Sequence, residues 1–318
     1  MKRKSLAILV SFVMSLLFII PSTASAKVYW NGAELKKGQI GLLTILQQTE
    51  LYKLNGSTKT ITRTLHPGEV YRIYTFLPGR LGVGGGYYID RDSRIKYQTP
   101  SKEKLQALGV KTTKNQYQGK FNYPQVAGLI SKAAQDKINA AITAHIKDSY
   151  TNYLALKAQE AQDRQAYEAE YGHPVPPDED YMYTYEYDVY SEIRYNENNQ
   201  LSILLYDYVY MGGAHGGTLV TSYNFNALTG QRLLLGDVAK SSTALGKIKR
   251  YAITDLTNRA HRGNGEGIFE EFLKEMDISN NRPFYYSDNG IVLKFQEYEV
   301  AAYAAGMPEV KVPYKVFR

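Results

Sequence analysis

Alternating apolar and acidic residues predict one strand pair most clearly. In "YMYTYEYDVYSEIRY" (181–195) apolar or aromatic side chains occupy every second position except Ser191, which is typical of a strand with one buried face. The segment "NENNQ" then turns the chain, and "LSILLYDYVYM" (201–211) returns it, so we expect an antiparallel hairpin. The predicted buried face of the first strand consists of Tyr181, Tyr183, Tyr185, Tyr187, Val189 and Ile193.

A helical period dominates the region before this hairpin. Apolar residues recur at Ile138, Ile142 and Ile146 and continue to Leu154, which predicts a long helix over 125–171. After residue 156 the sequence becomes rich in Ala, Gln and Glu, so we expect this end of the helix to be solvated. Gly172 and the proline-rich "HPVPPDED" (173–180) should end it.

Short strands separated by turns fill residues 27–99. Asn55-Gly56 is a strong hairpin signal, and His66-Pro67-Gly68 marks a further turn. Short strands with frequent turns predict a small β-barrel domain. Residues 100–118 are polar and rich in lysine, which indicates a linker with one helical turn near 103–108.

Helix and strand patterns alternate again after residue 236. The amphipathic run 241–260 has Ser241 or Ser242 as a helix cap, and "GIFEEFLKEM" (267–276) predicts a second short helix after the loop "HRGNGEG" (261–267). Two strands around Asp288-Asn289-Gly290 and a last strand near 308–317 complete the chain. Helices interleaved with antiparallel hairpins predict an α+β domain over 119–318.

The first 26 residues have the order of a secretory signal peptide. Basic Lys2, Arg3 and Lys4 precede an apolar run of about fifteen residues, and Ala24-Ser25-Ala26 follows. The run is shorter than the ~20 residues that a membrane-spanning helix needs. We therefore expect cleavage after Ala26 and a protein that is secreted or held in the bacterial cell wall. Contact with the membrane would require an uncleaved signal peptide.

Composition narrows the function classes further. The chain of 318 residues has no cysteine, which excludes disulfides, thiolate metal sites and a lipid-modified cysteine. Its net charge of +7 falls to +4 once the three basic residues of the leader are removed (7 − 3 = 4). Nothing in the sequence is typical of a nucleic-acid reader. The 29 tyrosines suit half-buried strands first and binding surfaces second.

The stretch "YVYMGGAHGGTLVTSYNFNALTGQRLLLGDV" (208–238) raises the question of chemistry. A phosphate loop requires a helix after the glycines, but another strand pattern follows here. A serine-hydrolase elbow requires a nucleophile inside the turn, and "GGAHGG" has none. A metal site would require partners for His215, but the other histidines are scattered singly.

A structural role explains this stretch best. Gly212, Gly213, Gly216 and Gly217 can adopt a positive φ or let another segment pass closely, and His215 can hold the turn by hydrogen bonds. Contact with a partner is the second interpretation. We therefore predict no catalytic residue, no cofactor and no metal. The candidate turn or ligand residues are Gly212, Gly213, His215, Gly216, Gly217, Tyr181 and Tyr183.

Two resemblances extend this interpretation. The order "LYKL", "LHPGEVYRIYTF", "GGGYYIDRDSRIKY" between residues 51 and 97 is similar to a bacterial SH3-like module, and such modules often bind cell-wall peptides or polymers. Residues 208–238, together with "FQEYEVAAYAAGMPEVKVPY" (295–314), "YPQVAGL" and "DKINAAI", resemble the extracellular domain of the anti-sigma factor RsiV.

The RsiV-like resemblance covers about residues 115–318 and implies an α+β sensor or binding domain outside the bacterial membrane. The RsiV domain recognises lysozyme, and related domains are fused to peptidoglycan deacetylases. We expect neither a cytoplasmic sigma-binding segment, because only Met1 to Ser5 precede the apolar run, nor a deacetylase domain.

Three functions follow as hypotheses. The first is a secreted, non-enzymatic envelope protein that binds peptidoglycan or a wall-active protein such as lysozyme. The second is a secreted peptidoglycan hydrolase, which would need two facing carboxylates. The third is an inhibitor of a lytic enzyme. The acidic candidates for the second are Glu186, Asp188, Asp207, Glu297 and Glu299.

Overall fold

The computed structural model describes residues 27–262 and 267–318. The signal peptide predicted for residues 1–26 and most of the loop predicted near 261–267 therefore lie outside the described residues. The N-terminal strands are β1 (Tyr29–Trp30), β2 (Ala33–Glu34), β3 (Gly41–Ile45), β4 (Thr49–Asn55), β5 (Thr58–Leu65), β6 (Val70–Ile73), β7 (Thr75–Leu77), β8 (Arg80–Gly84), β9 (Tyr87–Asp90) and β10 (Ile95–Gln98).

These strands form two open antiparallel sheets and a short β1–β2 hairpin. One sheet has the order β10-β3-β6 and the other the order β5-β4-β9-β8-β7. Both contribute to one core that includes Leu43, Leu65, Ile73, Leu81 and Ile89. A closed barrel is not found among the described strands, and the SH3-like assignment is not confirmed.

The chain passes from the first sheet to the second between β6 and β7. Residues 70–77 do not form one continuous strand, because β6 pairs with β3 in the first sheet and β7 pairs with β8 in the second. The chain changes sheet at Tyr74, whose backbone N–H donates to the carbonyl of Gly82 (2.8 Å). The hairpin predicted at Asn55-Gly56 is confirmed, with Asn55 paired to Thr58 and Gly56 at φ +61°.

The remaining elements alternate between helix and strand. They are α1 (Lys102–Ala107), β11 (Lys111–Tyr117), β12 (Phe121–Ala127), α2 (Lys132–Tyr171), β13 (Glu186–Glu197), β14 (Gln200–Tyr210), β15 (Gly217–Asn226), β16 (Arg232–Leu233), α3 (Leu235–Ala239), α4 (Ser242–His261), β17 (Phe284–Ser287), β18 (Gly290–Lys294) and β19 (Glu309–Pro313). Much of the predicted linker 100–118 is thus regular structure: α1 lies there, and β11 pairs with β12 along its whole length.

Helix α2 is the long helix that the sequence predicts, but it begins at Lys132 rather than near residue 125. Residues 121–127 are extended because they pair with β11. The Ser131 hydroxyl accepts the backbone N–H of Ala134 (3.1 Å), and Gly172 ends the helix at φ +74°. Ile138, Ile142 and Ile146 are fully buried, and burial of each stabilises the fold by about 1.5–3 kcal/mol.

Helix α2 packs on one face of the four-stranded sheet β13-β14-β15-β16. On β14 the residues Leu201, Ile203 and Leu205 face this helix, and the intervening Leu204 and Tyr206 pack towards the sheet β17-β18-β19. All strand pairs in the described residues are antiparallel. The molecule therefore combines helices with antiparallel sheets.

The predicted hairpin is present as β13 and β14, but its first strand is shorter than the alternation suggests. Tyr181 and Tyr183 lie in a 3₁₀ helix, Asp180–Tyr183, because β14 offers no partner beyond Tyr210, which pairs with Glu186. Ile193 is 42% exposed rather than buried, although it pairs with the buried Ile203 in the same register as Val189. A bulge between Ile193 and Tyr195 shifts the alternation only after this residue.

The C-terminal elements form a separate core around α4 and β17–β19. The Ser241 hydroxyl caps α4 by accepting the N–H of Ala244 (3.1 Å), and Asp288-Asn289 forms the predicted two-residue turn. The predicted helix 267–276 is reduced to a 3₁₀ helix, Glu270–Phe272. Two further 3₁₀ helices are Tyr303–Ala305 and Tyr314–Val316. None of the helices in the described residues is both long and apolar enough to cross a membrane.

Candidate functional site

The loop between β14 and β15 contains the glycine–histidine motif. Gly212 and Gly213 have φ +83° and +93°, a conformation that side chains rarely adopt. A Cβ on Gly212 would also lie 2.4 Å from the carbonyl oxygen of Met182, so the loop packs directly against the 3₁₀ helix Asp180–Tyr183. The Tyr210 hydroxyl donates to the carbonyl of Gly213 (3.0 Å) and closes the turn.

Gly216 and Gly217 differ from the first glycine pair in their backbone conformation and surroundings. Neither Gly216 nor Gly217 has a positive φ. Gly216 is buried beneath the ring of Tyr208, which a Cβ would approach to 2.5 Å. At Gly217 a Cβ would meet only the Oε2 atom of Glu297, 4.0 Å away. Gly217 therefore leaves open space in front of that carboxylate, and nothing in the structure otherwise requires glycine there.

His215 is held by both of its ring nitrogens. Nδ1 lies 2.9 Å from the carbonyl oxygen of Gly216, and because a carbonyl can only accept, Nδ1 carries the proton. In the neutral ring Nε2 then accepts the hydroxyl of Tyr298 (3.1 Å). The imidazole also stacks on Tyr303, with ring centroids 3.9 Å apart. Since both nitrogens are engaged, the ring presents a surface rather than a free base.

A groove of about 810 Å³ lies between α2 and this loop. It is an open cleft whose volume falls in the range of small-molecule sites. The residues that line the groove are mostly apolar, with a few polar groups among them. The lining residues are Asn152, Ala155, Leu156, Gln159, Tyr187, Asp207, Val209, Met211, His215, Gly216, Gly217, Thr218, Leu219, Glu297 and Tyr298.

The floor of this groove is a hydrogen-bonded cluster around Asp207, which we call the floor cluster (His145, Ser149, Tyr187 and Asp207). Oδ1 of Asp207 accepts the hydroxyls of Ser149 (2.5 Å) and Tyr187 (2.9 Å), and Oδ2 lies 2.8 Å from Nε2 of His145. His145 and Ser149 lie one turn apart on α2, so one helix face supplies both. Asp207 is only 7% exposed.

Two opposing effects set the ionisation of Asp207. Burial raises the pKa of its carboxyl, but the hydrogen bonds from His145 and Ser149 favour the ionised form. The net pKa lies below the ordinary value for aspartate. Burial also raises the pKa of the Tyr187 hydroxyl, which therefore stays protonated as a donor. The cluster is thus a fixed carboxylate, both of whose oxygens already accept hydrogen bonds.

The rim of the groove is formed by what we call the rim cluster (His215, Glu297, Tyr298 and Tyr303). Glu297 Oε2 accepts the backbone N–H of Thr218 (2.8 Å) at the outer edge of β15. The neighbouring Gln296 side chain bonds both the N–H and the carbonyl of Val220, so this segment follows the strand edge. Tyr298 is 53% exposed and has φ +60°, which is rare for a bulky residue.

The acidic candidates differ in what they contact. Of the five, only Asp207 and Glu297 line the groove. Glu299 pairs with Arg282, whose Nη1 lies 2.7 Å from Oε2. Glu186 and Asp188 are exposed on β13, where their side chains face away from α2. Asp207 already accepts hydrogen bonds from three side chains. Among the described residues, His215 forms no hydrogen bond or ion pair with a carboxylate.

The structure brings Tyr181 and Tyr183 to the far end of α2 rather than into the groove. Tyr183 packs edge-on against Tyr167 (centroids 5.3 Å apart), and Tyr167 lies against Tyr171 at 4.5 Å. His173 completes an aromatic patch that we call the helix-end patch (Tyr167, Tyr171, His173, Tyr181 and Tyr183). Tyr181 lies in the same 3₁₀ helix as Tyr183 and is exposed. The patch is linked to the groove through the contact between Met182 and Gly212.

Metal binding finds no support in the described residues, which contain no cluster of three or more His, Cys, Asp or Glu side chains suited to an ion. His66, His173 and His261 lie in separate regions. The sequence interpretation missed His145, Ser149, Tyr298 and Tyr303 as site residues. His145 and Ser149 could have been found from the sequence, because they are two polar residues one turn apart on an otherwise apolar helix face. Nothing local indicated the tyrosines.

Two family models match parts of the chain. Residues 110–218 match the model described as "Deacetylase PdaC", and residues 237–315 match "Protein of unknown function (DUF3298)". Each match covers less than half of the chain. The groove lies where the two matched segments meet, because the first contains α2 and the glycine–histidine loop and the second contains Glu297 and Tyr298. The similarity fits an extracellular family domain but does not single out RsiV.

Two solved structures of DUF3298 family proteins are similar to the chain. A family member from Bacteroides fragilis is 19% identical, with a TM-score of 0.45 over 65% of this chain and 88% of its own. A family protein from Pseudomonas aeruginosa PAO1 is 17% identical, with a TM-score of 0.40 over 65% of this chain and 92% of its own. No curated protein matches the sequence. At these sequence identities and TM-scores, the roles of individual residues are not transferred from the two structures to this chain.

Proposed function

We propose that the protein is secreted, resides in the bacterial cell envelope and binds peptidoglycan in the groove without chemical turnover. The observation that carries the proposal is the groove itself, with an exposed aromatic rim, apolar sides and a floor carboxylate that already accepts three hydrogen bonds. The signal-peptide pattern and the similarity to a family named after a deacetylase and to DUF3298 support an envelope location.

Binding is favoured over hydrolysis by the state of the acidic residues. A glycosidase needs one carboxylic acid that donates a proton and a second carboxylate opposite it. Asp207 has a lowered pKa and three hydrogen-bond donors, which suits neither an acid nor a nucleophile. Glu297 is tied by one oxygen to the edge of β15. We therefore propose a non-enzymatic role in which the groove provides the main contact with the cell wall.

A pelleting experiment with insoluble peptidoglycan tests this function. The blocking variant is Gly217→Phe, because Gly217 lines the groove, has no positive φ and leaves room for a Cβ. The matched control is Gly246→Phe on α4, away from the groove, where a Cβ meets only the flexible end of Arg250 at 3.7 Å.

We expect the unmodified protein and Gly246→Phe to pellet with the wall material and Gly217→Phe to stay in solution. No soluble wall fragments should be released by any of the three proteins. Failure of the unmodified protein to pellet would contradict the proposed function. Pelleting of Gly217→Phe at the level of the control would show that the wall contact lies outside the groove.

Recognition of a wall-active protein such as lysozyme is the second candidate, and the helix-end patch favours it. Exposed tyrosines supply large, stiff contact areas at protein interfaces. Tyr171 and Tyr181 are 56% and 58% exposed. Surface plasmon resonance with immobilised lysozyme tests this candidate, and Tyr171→Ala with Tyr181→Ala should weaken binding if it is correct. Binding that is unchanged in the double variant would exclude the patch.

A further inference from the structure

The groove has an unusual charge for this chain. It is lined by two carboxylates, Asp207 and Glu297, and by no lysine or arginine among the described lining residues. The whole chain, in contrast, carries a net charge of +7. A locally negative cleft on a basic protein favours cationic ligands and disfavours anionic ones. The charge of the groove therefore indicates that its ligand is cationic.

We propose that the groove selects a protonated amine carried on a sugar ring, that is, an unacetylated hexosamine unit of the wall glycan. This inference rests on the proposed function, since it names the part of the glycan that the groove recognises. An acetylated unit has a neutral amide in place of the cation. The groove would then discriminate between wall regions by their content of free amines.

Glu297 is the group that would meet the amine. One of its oxygens, Oε2, is fixed by the N–H of Thr218, which holds the carboxylate at the rim. Its other oxygen, Oε1, forms no hydrogen bond with a described residue. The missing side chain at Gly217 leaves the space in front of the carboxylate open, with Oε2 as the nearest atom at 4.0 Å. An ammonium group can approach Oε2 from that side, because an oxygen that accepts one hydrogen bond keeps a second lone pair.

Asp207 contributes charge rather than contact. Its two oxygens already accept three hydrogen bonds, and it is nearly buried. Its carboxylate nevertheless lies in the groove floor, where a low dielectric strengthens its field. His145 faces this carboxylate from α2 and lies 2.8 Å from its Oδ2, so Asp207 is not an isolated charge. Glu297 is therefore the better position for a test, because it can be neutralised without disturbing the floor cluster.

The rings of His215 and Tyr298 favour a sugar over a flexible lysine side chain. Both line the groove, whereas Tyr303 does not and supports His215 from behind. The C–H faces of a pyranose ring carry slight positive charge and pack well on the negative face of an aromatic ring. A lysine side chain needs no flat surface of this kind. The groove volume also exceeds what one alkylamine would fill.

Isothermal titration with two matched tetrasaccharides tests the inference. One is the tetramer of glucosamine and the other the tetramer of N-acetylglucosamine, both in mildly acidic buffer where the amines are protonated. We expect the protein to bind the glucosamine tetramer about tenfold or more tightly, the difference that one favourable charge pair can supply. Added salt should reduce this preference.

Two groove variants and one control sharpen the test. Glu297→Gln should remove most of the preference for the amine, whereas Glu186→Gln on the exposed face of β13 should leave it intact. Tyr298→Gly should weaken binding of both sugars about tenfold. Glycine accepts the positive φ of this position, so this variant is expected to fold.

The outcomes separate the inference from the proposed function. Equal or tighter binding of the acetylated tetramer overturns the inference but leaves glycan binding in place. Binding of neither tetramer to a protein that pellets with peptidoglycan also overturns it, and places wall recognition elsewhere. Binding of polylysine but not of glucosamine, with the same dependence on Glu297, overturns the sugar assignment in favour of a basic protein partner.

Discussion

The floor and the rim of the groove both contain a histidine beside a tyrosine and a carboxylate, yet they are built in opposite ways. In the floor cluster, Asp207 is buried and each of its oxygens is satisfied by side chains from α2 and β13. In the rim cluster, Tyr298 is largely exposed and Glu297 keeps one oxygen unbound by the described residues. The same residue types therefore stabilise the fold in the floor cluster and are available for ligand contact in the rim cluster.

This difference shows why residue type alone does not identify a catalytic site. His145 and His215 both hydrogen-bond to other side chains, but neither is placed between a nucleophile and an orienting acid. The Ser149 hydroxyl contacts Asp207 and the carbonyl of His145 rather than an imidazole nitrogen. The floor cluster therefore lacks the geometry of a catalytic triad although it contains the three residue types.

Removing the floor carboxylate should have the largest effect. In Asp207→Ala the donors Ser149 and Tyr187 lose their acceptor inside a buried site, and His145 loses its partner. We expect the free energy of unfolding to fall by about 3–5 kcal/mol. Urea unfolding followed by circular dichroism measures it. A loss below about 1 kcal/mol would show that the floor cluster is not a structural support.

The glycines of the loop should rank next. Gly212→Ala combines a positive φ with a Cβ placed 2.4 Å from the Met182 carbonyl, and we expect it to cost about 2–3 kcal/mol. Gly213→Ala has a similar φ but open space around the Cβ, and should cost only about 1 kcal/mol. Unfolding measured side by side checks the ranking. Equal losses would mean that the contact with Met182 is unimportant.

Acid sensitivity should also test the role of the floor carboxylate, Asp207. The pKa of Asp207 is lowered in the folded protein, so its carboxylate stabilises the fold fully above the unfolded pKa of about 3.9. That contribution is lost as the pH falls through the lower, folded pKa. We expect stability to decline below about pH 5 more steeply in the unmodified protein than in Asp207→Asn. Parallel curves would contradict this assignment.

The smallest expected change in stability is at the rim. Tyr298→Gly relieves a positive φ but loses the contacts with His215 and Tyr303, and these effects oppose each other. We expect a net change in the free energy of unfolding of less than about 1 kcal/mol. Thermal unfolding provides the measurement. A large loss would mean that the rim cluster supports the fold and is not primarily a binding surface.

Local patterns in the sequence predicted much of the fold. Ile138, Ile142 and Ile146 share one helix face, and the turn at Asp288-Asn289 is encoded by its own residues. The alternation failed at Tyr181 and Tyr183, because alternation predicts a strand only where a neighbouring strand is present to pair with it. The N-terminal strands were found, but their division into two sheets depends on pairings between distant segments.

The candidate site was predicted only in part. The loop around His215 is marked by its glycines, but its ring partner Tyr298 lies 83 residues away in the sequence. Likewise, Asp207 and His145 are separated by 62 residues. No spacing rule joins such pairs, since their proximity results from the packing of α2 and of the 296–303 segment around the same sheet. The sequence indicated the loop and included Asp207 and Glu297 among the acidic candidates, but it did not bring these residues together.

The most direct test of the account compares His215→Ala with the unmodified protein in two measurements on the same sample. These are the free energy of unfolding and the fraction that pellets with insoluble peptidoglycan. Because His215 lies on the rim, we predict that the fraction in the pellet falls to the background level while stability changes by less than about 1 kcal/mol. Unchanged pelleting, or a loss of folding that accounts for the loss of binding, would contradict the assignment of the rim as the recognition surface.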